Sequence, residues 1–377
     1  MPDDALMAST PVAGWHHKET GDHDGENPEA KGGTFAWGFE ATLAAMTGPA
    51  FAKRGGSPGM ILGMGFHRPG VNPTARLWES LQNVTEREEL PRGYMLFDRL
   101  YPAQKPEGMH IPLREEGYDL VFDYKDKERG YQTTLPSGAV VIDGGLYSPG
   151  IRAFPGLIDP HSVYEAGEID YETYMSRLEV RRKFSPATKG TKNSGGGRRF
   201  RCPVKAPGSA LACALVARGD EKTTAKQRLE LTPKDVSDFA AAPPVICRQA
   251  SVTIKNSVED GARWLQQGPA YGTPEWQAVY GQRNMIESRN DCLKNARGVG
   301  IGDSTMRLMR GWAGQLIATA ISCVAVNVLL LASDSAWFDE EGTDNDPIPR
   351  GRRDDLDRKR SDRALAGTFP NAPPVAA

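Results

Sequence analysis

The stretch Tyr280–Lys294, YGQRNMIESRNDCLK, places polar residues at offsets of 0, 3, 7 and 14, namely Tyr280, Arg283, Glu287 and Lys294. In an α-helix this spacing puts the four side chains on one face, on successive turns. An apolar stripe that could pack against a core lies on the adjacent face and consists of Val279, Ile286 and Leu293. The pattern predicts a helix that presents a carboxylate between two cations. Such a site needs a second carboxylate from elsewhere in the chain.

Asp98 is the candidate for that second carboxylate. It directly follows Gly93–Phe97, GYMLF, a short apolar run with the length of a buried strand. The carboxyl end of a strand is where open α/β sheets place their ligand crevices. An Asp that ends a strand is also common as the first residue of a turn. The residues alone leave both interpretations of Asp98 open.

Composition limits the class of protein. The chain has 377 residues, of which 25% are charged, and is long enough for two domains. Its formal net charge is −2, so any surface that binds nucleic acid must be local. Five cysteines without a CxxC pair, and an acidic N-terminus without an apolar run, indicate a reducing cytoplasm rather than secretion.

Strand and helix signals alternate in the first third of the chain, which predicts an α/β arrangement. A helix is predicted over Asn72–Glu88, with Leu77, Leu81 and Val84 on its buried face. A second helix is predicted over Lys105–Glu116. The predicted strands are Thr34–Met46, Gly59–His67, Gly93–Phe97 and Tyr118–Tyr124.

From about Asp126 to Gln267, short strand-like pieces such as Gly138–Ile142 and Val252–Ile254 alternate with Gly/Pro turns, and one helix-like segment, Tyr171–Arg182, intervenes. The pattern indicates a β-rich insertion. Within it, Arg181–Lys205 contains nine Lys or Arg and no acidic residue. A flexible basic loop suits charge-driven contact with a phosphate backbone, and its candidate DNA-binding residues are Arg198, Arg199 and Arg201. Phe184 and Phe200 could stack on bases. The alternative is a solvated, mobile loop.

The C-terminal region contains an apolar run followed by a charged tail. Leu316–Leu331 includes Thr319, Ser322 and Asn327 and is short for a membrane span. We therefore predict a buried core helix that is capped by Asp303 or Ser304 and ends near Ala332. Residues 339–377 are charged and nearly free of large apolar side chains, so a disordered tail is predicted over residues 334–377.

The spacing Tyr280-x2-Arg283-x3-Glu287-x6-Lys294 resembles the YREK signature of a large group of bacterial insertion-sequence DDE transposases. Other stretches that resemble this group are Trp37–Glu40, Phe97–Tyr101, Tyr271–Trp276 and Arg310–Ala313. The resemblance implies an RNase H-like fold, an α/β mixed sheet flanked by helices. The implied organisation is an irregular segment over 1–33, a catalytic domain over 34–125 and 268–333, the β-rich insertion over 126–267, and the disordered tail.

The resemblance also implies a function. Asp98 and Glu287 would be catalytic carboxylates that bind Mg²⁺ or Mn²⁺, while Tyr280, Arg283 and Lys294 would hold the DNA end through phosphate contacts. Metal ions held by carboxylates can activate water and stabilise the leaving oxyanion in phosphodiester cleavage and strand transfer. The expected partners are duplex DNA, as terminal repeats and target, and a second copy of the chain on DNA. The expected location is the bacterial cytoplasm, at the nucleoid when DNA is bound, without a membrane.

The chain departs from the family pattern at its start. Thr34–Met46 resembles the second strand of the family, and Ala8–His23 resembles the loop before that strand, with only seven residues ahead of it. Asp3 and Asp4 are the nominal candidates for the first catalytic Asp, but no β run surrounds them. We therefore expect an N-terminally truncated transposase without its first strand. Two main hypotheses follow: a Mg²⁺-dependent transposase, or an inactive remnant that only binds DNA. An RNase H-like nuclease is a third alternative, to which the YREK-like spacing gives less support.

Overall fold

The computed structural model describes residues 13–18, 34–47, 59–86, 92–191, 193, 195–206, 209, 211–213, 229–231, 243–295, 298–302 and 309–338. Asp3, Asp4 and the predicted tail from residue 339 onwards lie outside these ranges. The described part is a mixed α/β protein with several small sheets. The chain divides into two compact units. Unit 1 comprises Met1–Pro91 and Gln282–Ile348, and unit 2 comprises Arg92–Gly281 with Pro349–Ala377.

The helices and strands have the following bounds. The strands are β1 (Gly14–Lys18), β2 (Thr34–Gly38), β3 (Glu40–Ala45), β4 (Ile61–His67), β5 (Tyr94–Phe97), β6 (Asp119–Phe122), β7 (Tyr131–Thr134), β8 (Val140–Ile142), β9 (Gly145–Tyr147), β10 (Ala187–Lys189), β11 (Arg198–Arg201), β12 (Leu211–Cys213), β13 (Leu229–Leu231) and β14 (Val252–Ile254). The α-helices are α1 (Pro73–Thr85), α2 (His110–Glu115), α3 (Pro160–Glu165), α4 (Tyr171–Arg182), α5 (Val245–Arg248), α6 (Pro274–Tyr280), α7 (Asn284–Lys294) and α8 (Gly311–Phe338). Short 3-10 turns occupy Asp126–Glu128, Pro149–Ala153, Pro155–Leu157, Pro203–Lys205 and Gly281–Arg283.

Unit 1 contains two antiparallel strand pairs, β1–β2 and β3–β4. The predicted strand Thr34–Met46 is divided at Phe39 into β2 and β3. The prediction of an irregular segment over residues 1–33 is wrong for Gly14–Lys18, which forms β1. Its pairing places Trp15 opposite Trp37, with ring centroids 5.3 Å apart. Cross-strand aromatic pairs of this kind stabilise two-stranded sheets. The periodicity of the β1 sequence alone did not indicate a strand.

Helix α1 packs on β4 as its amphipathic pattern predicted. The side chain of Asn72 accepts a hydrogen bond from the Thr74 N–H at 2.8 Å and caps the helix, and Pro73 occupies the first turn. The predicted buried face is confirmed by its three leucine and valine side chains, Leu77, Leu81 and Val84. In β4, a Cβ on Gly63 would lie 1.9 Å from the carbonyl oxygen of Ser80. Only glycine therefore permits this approach between helix and strand.

Helix α8 begins at Gly311, and the predicted caps Asp303 and Ser304 lie outside the described residues. It continues to Phe338, so residues 334–338 are helical and not part of a disordered tail. Asn327 attaches it to β4, because its side chain accepts from the Ile61 N–H and donates to the Ile61 carbonyl, both at 2.8 Å. Cys323 and Val326 are buried beside this contact.

The prediction of a buried core helix is wrong for most of α8. Only 22% of its apolar window is buried, since β4 and α7 cover one face of the helix. Among the described helices, α8 is the one whose length and composition would allow it to cross a membrane, over Gly311–Ala332 with a mean hydropathy of 2.1.

Unit 2 contains the parallel pair β5–β6 and several small sheets built from β7 to β14. The predicted helix Lys105–Glu116 is shorter than expected and forms α2 (His110–Glu115), whereas α4 and β14 have the predicted bounds. The strands β7 to β14 fall within the predicted β-rich insertion, residues 126–267. The two units meet at residues 91/92 and 281/282, which are not the ends of segment 126–267. That this segment is an insertion therefore stays a prediction.

A buried ion pair lies in the core of unit 2. Asp143 and Gly144 form the two-residue turn between β8 and β9, where Asp143 has a φ of +44°. The Asp143 carboxylate accepts hydrogen bonds from the Gly130 N–H at 2.6 Å and from Arg181 at 2.7 Å. Arg181 also donates to the Ile142 carbonyl at 3.0 Å. The two charged side chains are only 1% and 3% exposed, so neither charge has access to water.

We expect unit 2 to lose stability at acidic pH because of His110. Its Nε2 donates to the Tyr101 carbonyl at 3.1 Å, and its Nδ1 is buried with no hydrogen-bond partner among the described residues. Burial lowers the pKa of His110 to about 4. The unfolded chain binds the proton near pH 6.5, so stability is present above that pH and is lost as the pH falls toward 4.

The expected contribution of His110 is a loss of about 2.5 kcal/mol between about pH 7.5 and 4.5. Urea unfolding at these two pH values measures it, and His110→Gln should lose correspondingly less stability over the same range. An equal pH dependence of the parent and the variant would contradict the assignment.

Candidate functional site

Asp98 lies at the carboxyl end of β5, as the sequence predicted. In the parallel pair β5–β6, Phe97 is opposite Phe122, so Asp98 and Asp123 follow neighbouring strand ends at the same edge. The Asp98 side chain is exposed, and its carboxylate accepts the Arg99 N–H at 2.6 Å. Its carbonyl accepts from the Tyr101 N–H at 3.0 Å, which closes a turn. Asp98 therefore begins a turn at a strand end, and its role as a site carboxylate stays a prediction.

Asp123 is a residue of this edge that the sequence interpretation missed. It is 9% exposed, and its two carboxylate oxygens accept from Arg99 Nε at 2.5 Å and from the Tyr271 hydroxyl at 2.8 Å. Burial and the nearby Asp123 charge raise the pKa of Tyr271 well above its usual value, so the phenol remains a donor. Asp123 thus holds Arg99 beside Asp98. The predicted strand Tyr118–Tyr124 contained Asp123, whereas β6 ends at Phe122, so the sequence did not mark this carboxylate as lying at a strand end.

Tyr280 is brought to the same strand end within unit 2. Its hydroxyl donates to the Phe97 carbonyl at 3.2 Å, 183 positions earlier in the chain and directly before Asp98. The Tyr280 ring stacks on Trp276 with centroids 4.7 Å apart and an interplanar angle of 8°. Trp276 in turn contacts Tyr271, with centroids 4.6 Å apart. An aromatic cluster therefore fixes Tyr280 next to Asp98.

The prediction of one continuous helix over Tyr280–Lys294 is wrong. Helix α6 ends at Tyr280, a 3-10 turn occupies Gly281–Arg283, and α7 begins at Asn284. Gly281 directly follows Tyr280, and glycine destabilises the interior of a helix. Tyr280 belongs to unit 2, whereas Arg283, Glu287 and Lys294 belong to unit 1. Of the predicted apolar stripe, Val279 and Leu293 are buried and Ile286 is partly buried.

Glu287 lies in the first turn of α7, where the helix dipole favours a negative charge. It forms an ion pair with Arg283 at 2.9 Å, and its side chain is 59% exposed. Lys294 lies in the last turn of the same helix and is exposed. An exposed pair of this kind contributes little to stability, so Glu287 is available to solvent and to a ligand.

The carboxylates of the predicted site are potential ligands for a metal ion. Asp98 and Glu287 offer hard carboxylate oxygens of the kind that Mg²⁺ prefers. They belong to different units, however, and Asp123 is already bound by Arg99 and Tyr271. In the part of the chain that the structure describes, no three His, Cys, Asp or Glu side chains are grouped so as to hold a metal. The described residues therefore do not form a complete metal site.

The basic run Arg181–Lys205 is not a simple flexible loop. Strands β10 and β11 form an antiparallel hairpin, and β11 also pairs with β14. Arg181 is buried in its pair with Asp143, and Lys205 donates to the carbonyls of Arg248 and Gln249 at 3.0 and 2.8 Å. Neither is free to bind DNA.

The predicted stacking on bases is wrong for Phe184 and stays a prediction for Phe200, which is partly exposed. Phe184 is fully buried, and Phe200 packs against the hydrophobic core of unit 2. Both aromatic rings are therefore used for folding. The alternation of the sequence between basic and aromatic residues could not distinguish this use from contact with bases.

The hairpin presents a basic face to solvent. Side chains alternate along a strand, and Phe200 lies opposite the buried Val252. Arg199 and Arg201 therefore lie on the other face, where the exposed Lys189 is opposite Arg199. We call Lys189, Arg199 and Arg201 the basic sheet face. Arg198, opposite the buried Ile254, lies on the core side and is a weaker candidate for DNA contact.

Comparisons with protein-family models, curated proteins and solved structures gave no match to this chain. Its function must therefore be argued from the residues and their geometry.

Proposed function

We propose that the chain is a DNA transposase of an insertion sequence, which cleaves phosphodiester bonds and transfers strands at the ends of its element. One observation supports this more than any other. Tyr280, taken from the YREK-like spacing, donates to the carbonyl of Phe97, the residue before Asp98. Asp98 was selected from a separate stretch as the partner carboxylate. Two residues from separate motifs that resemble the same family thus meet at one strand end.

The remaining signature residues have side chains suited to a DNA end. Arg283 and Lys294 are cations on either side of Glu287 in the sequence, and guanidinium and ammonium groups bind phosphate oxygens well. Asp98 and Glu287 are the proposed catalytic carboxylates, with Mg²⁺ or Mn²⁺ as the proposed cofactor. Because the described residues form no complete metal site, we derive no catalytic step through the ion.

An RNase H-like sheet is part of the same proposal. Among the described residues, β3–β4 and β5–β6 are separate pairs that belong to different units. What supports the proposal is their order along the chain, an antiparallel pair, then α1, then a parallel pair, which is the order that the family resemblance implies. β3 would correspond to the second strand of the family and β5 to the fourth. The protein would act in the bacterial cytoplasm, on terminal repeats and target DNA.

The second candidate function is an inactive remnant that only binds DNA. The observation in its favour is that no three potential metal ligands are grouped among the described residues. Both candidates bind DNA, so binding alone does not separate them. The two candidates are separated by an assay of Mg²⁺-dependent cleavage, with a duplex that carries the sequences flanking the reading frame. Cleavage that is lost in Glu287→Gln supports the transposase, and binding without cleavage supports the remnant.

The basic sheet face is expected to bind the phosphate backbone. The double substitution Arg199→Gln/Arg201→Gln should lower the affinity for a fluorescent duplex by about tenfold at low salt. It should also reduce the slope of log K against log salt by about 1.8, because two phosphate contacts are lost. Fluorescence anisotropy over a salt series measures both quantities.

Lys127 provides the matched control for this substitution. It is an exposed cation on the 3-10 turn Asp126–Glu128, with acidic residues on both sides. Lys127→Gln should leave the affinity and the salt slope nearly unchanged. Equal effects of the control and the double variant would show that binding is not located on the basic sheet face.

A further inference from the structure

We infer that Cys202 and Cys247 form a redox-active pair, which a small hydroperoxide oxidises to a disulfide. Both cysteines lie in unit 2, 45 positions apart in the sequence, and both are thiols in this structure. The Cys247 S–H donates a hydrogen bond to the Cys202 sulfur. Two thiols in such contact are the reduced form from which a disulfide can close. The inference does not depend on the proposed function.

A side chain bridges the two segments that carry these cysteines. Cys202 directly follows β11 and precedes a 3-10 turn, whereas Cys247 lies in the one-turn helix α5. Lys205, in that 3-10 turn, donates to the carbonyls of Arg248 and Gln249, the two residues after Cys247. A disulfide requires the two sulfurs to approach to about 2.05 Å. Because the segments are already adjacent, this needs a short shift rather than a rearrangement of unit 2.

The two thiols differ in how easily they ionise. The Cys202 sulfur also accepts from the backbone N–H groups of Val204 and Lys205, at the start of the 3-10 turn. The hydrogen bond from Cys247, these N–H groups and the Lys205 charge lower the pKa of Cys202 to about 7, against the opposing effect of burial. The hydrogen bond to Cys202 and burial raise the pKa of Cys247 above its usual value. Cys202 is therefore the thiolate and the nucleophile, and Cys247 keeps its proton.

The oxidation takes place in two balanced steps. The Cys202 thiolate attacks one oxygen of the hydroperoxide, the O–O bond breaks, and Cys202 becomes a sulfenic acid. The leaving oxygen takes up the proton that Cys202 had released, so hydrogen peroxide gives water. The Cys247 sulfur then attacks the Cys202 sulfur, the S–O bond breaks, and the Cys247 proton leaves with the hydroxyl group as a second water. Two thiols have lost two electrons, and the peroxide has gained them.

Burial determines which oxidants reach the pair. Cys202 and Cys247 are 2% and 3% exposed and belong to the hydrophobic core of unit 2. A large disulfide such as oxidised glutathione cannot place its sulfur against Cys202 without opening this core, whereas hydrogen peroxide is little larger than water. The site therefore takes a small hydroperoxide. In a reducing compartment, a disulfide of this kind is transient and serves redox sensing rather than permanent cross-linking.

Peroxide oxidation followed by peptide mapping tests the inference. The full chain is treated with hydrogen peroxide, unfolded in N-ethylmaleimide and digested with trypsin. We expect a disulfide between Cys202 and Cys247, with the number of thiols falling from five to three. Cys247→Ser should instead stop at a sulfenic acid on Cys202, which dimedone traps. Oxidised glutathione should react more slowly than hydrogen peroxide, by about tenfold or more, because the sulfurs are buried.

Cys213→Ser is the matched control, because Cys213 is a buried cysteine of the same core. Among the described residues, Cys213 and Lys205 are the other titratable groups that act on the pair. The variant should form the disulfide at the rate of the parent. In both proteins that rate should rise about tenfold from pH 6 to pH 8, as Cys202 ionises. Circular dichroism checks that Cys213→Ser and Cys247→Ser are folded.

Mapping of the parent decides the question even where a variant does not fold. Five thiols that survive peroxide, at a concentration that oxidises the amino acid cysteine in solution, would overturn the inference. So would a disulfide that involves Cys213, Cys292 or Cys323 in the folded chain. A disulfide that forms only after urea unfolds the chain, or at a rate independent of pH, would overturn it as well.

Discussion

Arg181→Met is expected to destabilise unit 2 by about 3–5 kcal/mol. The substitution leaves the Asp143 carboxylate 1% exposed without its cation, and it also removes the hydrogen bond to the Ile142 carbonyl. An uncompensated buried charge is among the most costly changes in a protein interior. Urea unfolding followed by circular dichroism at neutral pH measures the loss.

Two further variants test the cause of this loss. Adding Asp143→Asn to Arg181→Met should recover part of the stability, because Asn removes the charge, can still accept from the Gly130 N–H, and tolerates the positive φ. Arg182→Met, at the exposed neighbouring position, should change stability by less than about 0.5 kcal/mol. Equal losses for Arg181→Met and Arg182→Met would contradict the buried pair.

Glu287→Gln and Asp98→Asn are each expected to reduce Mg²⁺-dependent DNA cleavage by about 10³-fold, equivalent to about 4 kcal/mol of activation free energy. Both changes keep the size of the side chain and remove its negative charge, which the proposed chemistry requires. Because both side chains are exposed, stability should change by no more than about 0.5 kcal/mol. Cleavage of a labelled duplex that carries the flanking sequences, together with thermal unfolding, measures both effects.

Asp291→Asn is the control for Glu287→Gln. Asp291 is an exposed carboxylate on the same helix and lies outside the four-residue spacing. It should cleave DNA at the rate of the parent. Loss of activity in Glu287→Gln, Asp98→Asn and Asp291→Asn alike would point to a general effect of charge. A parent protein that binds DNA but does not cleave it would favour the inactive remnant.

Local patterns predicted the elements whose causes are local. Helix α1 follows from its apolar periodicity and from Asn72 and Pro73 at its start, and α4 has the predicted bounds. The position of Asp98 at the end of a strand was likewise predicted from the short apolar run before it. Asp123 follows β6 in the same manner, but the predicted strand Tyr118–Tyr124 extended past it, so its place at the strand end was missed.

Long-range partners explain what the sequence could not show. Arg181 looked like part of a basic loop because its counterion, Asp143, lies 38 positions earlier. The spacing from Tyr280 to Lys294 suited a single helix, yet the helix is interrupted after Tyr280 and its parts belong to different units. Helix α8 has enough apolar residues for a core, but β4 and α7 cover only one of its faces.

The central claim is that Asp98 and Glu287 act together on DNA, and the most direct measurement is a crystal structure of the chain with duplex DNA and Mn²⁺. We predict an anomalous Mn²⁺ peak contacted by oxygens of both carboxylates at about 2.0–2.2 Å, beside a phosphate of the DNA. Carboxylates that lie far apart and share no ion or pair of ions, in a complex with DNA bound, would contradict it.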